Sequence, residues 1–194
     1  MSKGRLEAFS DGVLAIIITI MVLELRPPPS ADVEALAPMI PAFLSYLLSF
    51  AFLAIYWNNH HHLLQTARHV TGAILWANMH LLFWLSLIPF VTNWMGDSHF
   101  APWPVAIYGV VMILSAIAYY VLTRVLIMSH GAESALALAV GRDVKGLASL
   151  LLYALAIPLA FVYAYASCGL YVLVAVMWII PDRRIERTLT KEHS

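Results

Sequence analysis

Long apolar runs separated by short polar or proline-rich breaks make up most of the chain. About 20 helical residues cross the roughly 30 Å hydrocarbon core of a bilayer, and the runs come in that length. The pattern predicts helices over 5–25, 38–61, 70–94 and 104–128. Pro27, Pro28 and Pro29 stop the first, because proline cannot continue a helix. Pro102 and Pro104 precede the fourth. In the third, Trp76, Trp84 and Trp94 fall near levels where aromatic rings favour the membrane interface. The last apolar stretch, 146–181, would be about 54 Å long as one helix, far more than a bilayer needs. Two spans over 146–166 and 169–181 fit better, turning near Ser167, Cys168 and Gly169, with a kink at Pro158. The expected fold is all-α, a polytopic membrane protein with six transmembrane helices. No repeat of 20–50 residues and no low-complexity linker interrupts it.

Composition agrees with that pattern. Of 194 residues, 62% are apolar and 11% charged, whereas a soluble domain carries about a quarter of its residues as charges. Much of the surface must face lipid. Eleven basic and eleven acidic residues give zero net charge, so no nucleic-acid partner is expected. The single cysteine, Cys168, excludes an intrachain disulfide. Lys3 and Arg5 before an apolar run imitate a signal peptide, but Ser10 and Asp11 interrupt it and no small-residue cleavage pattern follows. The run reads as a retained helix, and 1–194 as a single transmembrane domain.

Orientation follows from the basic residues. With the N-terminus inside, Lys3, Arg5, Arg68, Arg124, Arg142, Lys145, Arg183, Arg184, Arg187 and Lys191 collect on the cytoplasmic side, and only Arg26 lies outside. That asymmetry predicts both termini in the cytoplasm. The basic tail from Arg183 to Lys191 reads as solvated near anionic lipid, and 132–140 as a short interfacial helix.

The first helix holds the most unusual chemistry. Asp11 lies within the apolar run, where an ionisable group costs a few kcal/mol near the centre and less toward the ends. It must face protein or water, with Arg5 and the histidines of the second helix as candidate partners. Capping or stapling helices and a functional role both remain open for it. Ile16, Ile20 and Leu23 share one helical face with Thr19 on its edge. In a helix apolar all round that spacing is nearly unavoidable. Packing is its commoner use, and composition alone does not separate packing from a pore lining.

His60, His61, His62 and His69 crowd the end of the second helix, with His80 in the third. Consecutive helical residues point about 100° apart, so His60, His61 and His62 do not chelate one ion together. Hydrogen-bonded interhelical histidines are the plainer reading, and no metal or cofactor is expected. Glu24 and Arg26 at the outer end of the first helix either ring a vestibule or pair at the interface, the second being commoner. No nucleophile with a base and no metal cluster converges, so the chain is not expected to be an enzyme.

The run Arg5-x-x-x-Phe9-Ser10-Asp11 ahead of an Ile/Thr/Leu-rich helix resembles the transmembrane protein 175 family of potassium channels. Trp57-Asn58-Asn59-His60-His61 supports the resemblance, as do Asn78 with Leu81-Leu82-Phe83 and Pro89-Phe90-Val91-Thr92. It covers the first three helices by motif and the rest by hydropathy and length. Where the family usually has a basic residue, this chain has His62, which makes local charge pH-dependent. The resemblance implies a potassium-permeable cation channel in the bacterial plasma membrane, one six-helix repeat per chain, assembled as a homotetramer in the lipid bilayer. It implies a pore lined by the first helix of four subunits, an apolar constriction at Ile16, Ile20 and Leu23, and potassium preference from Thr19. It further implies a structural network of Arg5, Phe9, Ser10, Asp11, His60, His61 and Asn78. The other reading is a proton-coupled secondary transporter with Asp11 and a second-helix histidine as relay, although no inverted repeat is visible.

Overall fold

In a computed structural model, residues 2–130 and 144–179 are described. All regular structure among them is helical. α1 is Lys3–Leu23, α2 Ile40–Gln65, α3 Gly72–Ser86, α4 Ile88–Asp97, α5 Pro102–His130 and α6 Val144–Ile179. A 3₁₀ segment, Val33–Met39, leads into α2. Five of the helical stretches, with α3 and α4 taken together, are long and apolar enough to cross a membrane. The interfacial helix expected over 132–140, with Arg142 and the tail from Arg183 to Lys191, lies outside the described residues.

Local chemistry sets the ends. Pro41 sits in the first turn of α2, where its missing N–H is no loss. Thr71 caps α3 by accepting the Ile74 N–H at 3.3 Å. α2 runs a turn further than its pattern predicts, so His60, His61 and His62 lie inside the helix. The third predicted helix is broken at Leu87, which closes α3 and caps α4. Pro89, two residues on, cannot donate to the Leu85 carbonyl, which frees the chain to turn there.

α6 contains one residue outside helical geometry, Tyr163 (φ −155°, ψ 92°). Across it the Ser167 hydroxyl donates to the Ala156 carbonyl at 2.7 Å, and the Trp178 indole to Ser149 Oγ at 2.8 Å. A straight helix would separate Ser149 from Trp178 by about 43 Å, so the two limbs lie antiparallel. The reversal is at Tyr163 rather than at Ser167, Cys168 and Gly169. Those small residues belong to a helical limb, and Ser167 is buried in the seam with Ala156 and Ala160, where small side chains let backbones approach.

The core lies around α5, which packs against α3, α4 and α6. Gly109 on α5 faces the Tyr171 hydroxyl so closely that a Cβ would collide with it. Gly96 on α4 plays the same part against the Ala42 backbone, where a Cβ would lie 2.6 Å from Cα. Ser49, Thr92 and Tyr108 join α2, α4 and α5 through buried hydroxyl contacts of 2.6 and 3.1 Å. α1 stands at the edge, against α2, α3 and α4.

Candidate functional site

α1 has two faces with different surroundings. Leu6, Ser10, Leu14, Ile17 and Met21 recur every three or four residues and are buried against the neighbouring helices. On the other side Ile16 is 59% exposed, Ile20 41% and Leu23 77%, with Thr19 and Gly12 beside them. The residues expected to form a constriction therefore share the face that the subunit leaves uncovered. Ile16 to Leu23 spans about 10 Å along the axis.

Thr19 is polarised by its backbone. Its hydroxyl donates to the Ala15 carbonyl at 2.5 Å. A hydroxyl has one proton and two lone pairs, so with the proton spent inward the oxygen presents acceptor density outward. That suits a cation and not an anion.

Behind α1 a buried hydrogen-bonded chain crosses three helices. His60 Nε2 lies 2.7 Å from Asn78 Oδ1, Asn78 Nδ2 donates to Ser10 Oγ at 3.0 Å, and Ser10 donates to the Leu6 carbonyl at 2.9 Å. The chain fixes its own proton positions. Because the Asn78 oxygen can only accept, His60 carries a proton on Nε2. All three side chains are buried, so the loss of one strands the others without water.

Asp11 takes a different partner from those expected. The Trp57 indole donates to its Oδ1 at 3.0 Å, and Trp57 stacks on His61 at 5.9 Å between centroids. Neither Arg5 nor a histidine reaches the carboxylate among the described residues. Arg5 and Asp11 stand six positions apart, about 120° around the helix, so they do not face each other. An acid–imidazole relay through Asp11 has no hydrogen-bonded path there. Arg5 and Phe9 are exposed and outside the buried chain. At the inner end, Lys3 donates to the Gln65 carbonyl at 2.8 Å and pairs with Glu7 at 3.8 Å. Glu24 and Arg26 form no ion pair among the described residues; Glu24 caps α1 and Arg26 lies beyond its end. The sequence marked Trp57 only as part of the run that carries the resemblance and Lys3 only as a cytoplasmic charge, neither as a partner for α1 or α2. The one available signal was an indole donor next to the Asn58-Asn59-His60 run.

Comparison with known proteins bears on the same helices. A family model described as "Endosomal/lysosomal potassium channel TMEM175" matches residues 5–89. A protein named potassium channel from Chryseobacterium sp. (strain P1-3) is 56% identical over 189 residues, covering 97% of this chain and 98% of that one. The human protein named endosomal/lysosomal proton channel TMEM175 is 38% identical over 86 residues, which span 38% of this chain and 17% of the human one. A crystal structure of a TMEM175 homolog from Chamaesiphon minutus, described as a lysosomal potassium-selective channel, superposes with a TM-score of 0.78. It has 28% sequence identity and covers 92% of this chain and 96% of that one.

Proposed function

The chain belongs to the TMEM175 family of potassium channels, and from that membership we propose that four copies close around α1 to form a potassium-permeable pore. The observation that carries the reading is the uncovered face of α1. Ile16, Ile20, Leu23 and Thr19 lie there together, while the opposite face is buried. Lipid alone is a poor cover for this helix, because Asp11 is exposed on it as well and a carboxylate in hydrocarbon is costly.

Four-fold closure brings each isoleucine to meet its symmetry mates. The resulting apolar ring gates by dewetting, and no carbonyl-lined filter loop is required. Thr19 falls between Ile16 and Ile20 in height and contributes four outward-facing oxygens to a partly dehydrated cation. Hydroxyls on side chains impose cavity size weakly, so potassium is preferred over sodium with some leak. The chain Ser10–Asn78–His60 holds the back of α1 in register, and Asp11 is tied to α2 through Trp57. In this reading Ser10, Asp11, His60, His61 and Asn78 support the helix without filtering ions, whereas Arg5 and Phe9, exposed on the subunit, stand outside that network.

The antiparallel limbs of α6, counted separately, support six crossings with both termini in one compartment. The excess of basic residues on that side supports reading it as the cytoplasmic face of a bacterial plasma membrane. The test is reconstitution in liposomes with a potassium gradient. Wild-type protein is expected to pass potassium faster than sodium, and Ile16→Asn to conduct more and select less. Absence of cation flux, or flux indifferent to Ile16→Asn, removes the proposal.

A further inference from the structure

α3 carries a stripe that its own subunit does not cover. Trp76 is 78% exposed and Phe83 55%, and His80 lies exposed between them. The Trp84 indole donates to His80 Nε2 at 2.9 Å. Nε2 is thus an acceptor, the ring's proton lies on Nδ1, and no described group takes it. His80 stands eight residues into the span that begins at Gly72, about 12 Å along it. Lipid tails offer no acceptor at that depth, and imidazoles inside membrane spans face protein or water.

The opposite flank of the subunit shows the converse. Asp11 has one carboxylate oxygen engaged by Trp57 and the other without a donor among the described residues. Depth is fixed by the Ser10–Asn78 bond of 3.0 Å, which sets α1 and α3 level. Asp11 follows Ser10 by one residue and His80 follows Asn78 by two, so both lie within about 3 Å of that plane. Around α3, His80 is turned about 200° from Asn78. It therefore faces away from its own α1 and does not reach its own Asp11. On α1, Ser10 faces α3 while Asp11 and Lys3 contact α2. The donor and the acceptor thus occupy the two flanks of the uncovered α1 face, at one height and with opposite polarity.

We infer that His80 Nδ1 of one copy donates to the Asp11 carboxylate of the next, so that the α3 flank of each subunit docks on the α1–α2 flank of its neighbour. This rests on the ring of copies proposed above and names the contact that closes it. Such an interface is heterologous and closes into a ring only by rotation. Trp76 and Phe83 supply its apolar area, and the Asp11–His80 bond sets its register. A carboxylate exposed inside the membrane and an imidazole with an idle proton satisfy each other.

The test uses the full chain with Cys168→Ser as background. Asp11→Cys and His80→Cys in the same chain, treated with a short bifunctional maleimide, should give dimers, trimers and tetramers on denaturing gels. Either cysteine alone should give none. A protein that sizes as a tetramer yet yields no ladder from the pair, or equal products from the single cysteines, overturns this contact and leaves the ring intact. A wild-type protein that is monomeric in mild detergent overturns both. As a second measurement, tetramer dissociation is compared for Asp11→Asn, His80→Phe and their combination. Each single change should weaken each subunit interface by about tenfold, as for a hydrogen bond to a charged group. The double should loosen it no further than one of them does, since the two act through one bond. Additive losses contradict the contact.

Discussion

In α5, Val105, Tyr108, Met112, Ala118, Leu122 and Leu126 are buried among neighbouring helices. In α1, burial is confined to Leu6, Ser10, Leu14, Ile17 and Met21. The two helices are close in hydropathy, yet half of the apolar window of α5 is buried against 28% for α1. Their hydroxyls make the contrast sharper. Ser115 and Thr123 on α5 donate to carbonyls four residues back, at 2.8 and 2.9 Å, and are buried. Thr19 on α1 makes the same bond and faces outward. In α5 the bond serves to hide a hydroxyl from the core. In α1 it leaves the oxygen exposed, and burial separates the two cases where sequence does not.

The largest expected effect comes from filling space on each helix. Gly109→Leu should drive a side chain into Tyr171, whose hydroxyl holds the Val105 carbonyl at 3.0 Å. A loss of about 3 kcal/mol or more is expected, read as a collapse of the thermal midpoint and of monodisperse yield. Gly12→Leu on α1 meets open space within its subunit. Its subunit stability should stay within about 0.5 kcal/mol. Equal damage from both would erase the contrast between the helices.

Next in size is Asn78→Leu. It strands His60 and Ser10 in a buried site and should cost about 2–3 kcal/mol in denaturant unfolding. On the outward face, Ile16→Asn should change stability by no more than about 0.5 kcal/mol while altering flux. The smallest effect concerns the turn before α5, where His99 and Phe100 adopt φ of 53° and 60°. Their N–H groups close α4 on the Gly96 and Met95 carbonyls, a task usually given to glycine. His99→Gly should raise stability by about 0.5–1 kcal/mol, seen as a higher thermal midpoint.

Much of the fold was legible because bilayer thickness imposes helix length, and length is visible in hydropathy. The breaks were less so. Pro89 hid inside an apolar run, although it gave the reason for the turn at Leu87. Ser167, Cys168 and Gly169 have turn-like composition, but seams between helices in a membrane favour the same small residues. Within the site, the motif around Ser10 and Asp11 was visible as out-of-place polarity. Its pairings were not, because they join α1, α2 and α3 through a geometry that spacing along one helix does not carry. Asp11 invited a charged or imidazole partner and instead holds an indole N–H. The exposed face of α1 was invisible because a helix apolar all round does not announce which side is covered.

If four copies of α1 line the pore as proposed, the uncovered face of α1 meets ions. In a Cys168→Ser background, cysteines are placed at Ile16, Ile20 and, as buried controls, Leu14 and Ile17, and potassium flux is followed while a charged, water-soluble thiol reagent is added. Block from Ile16→Cys and Ile20→Cys, with none from Leu14→Cys and Ile17→Cys, is the expected result. Flux that persists unchanged after complete modification at Ile16 and Ile20 would place the ion path elsewhere and overturn a pore lined by α1.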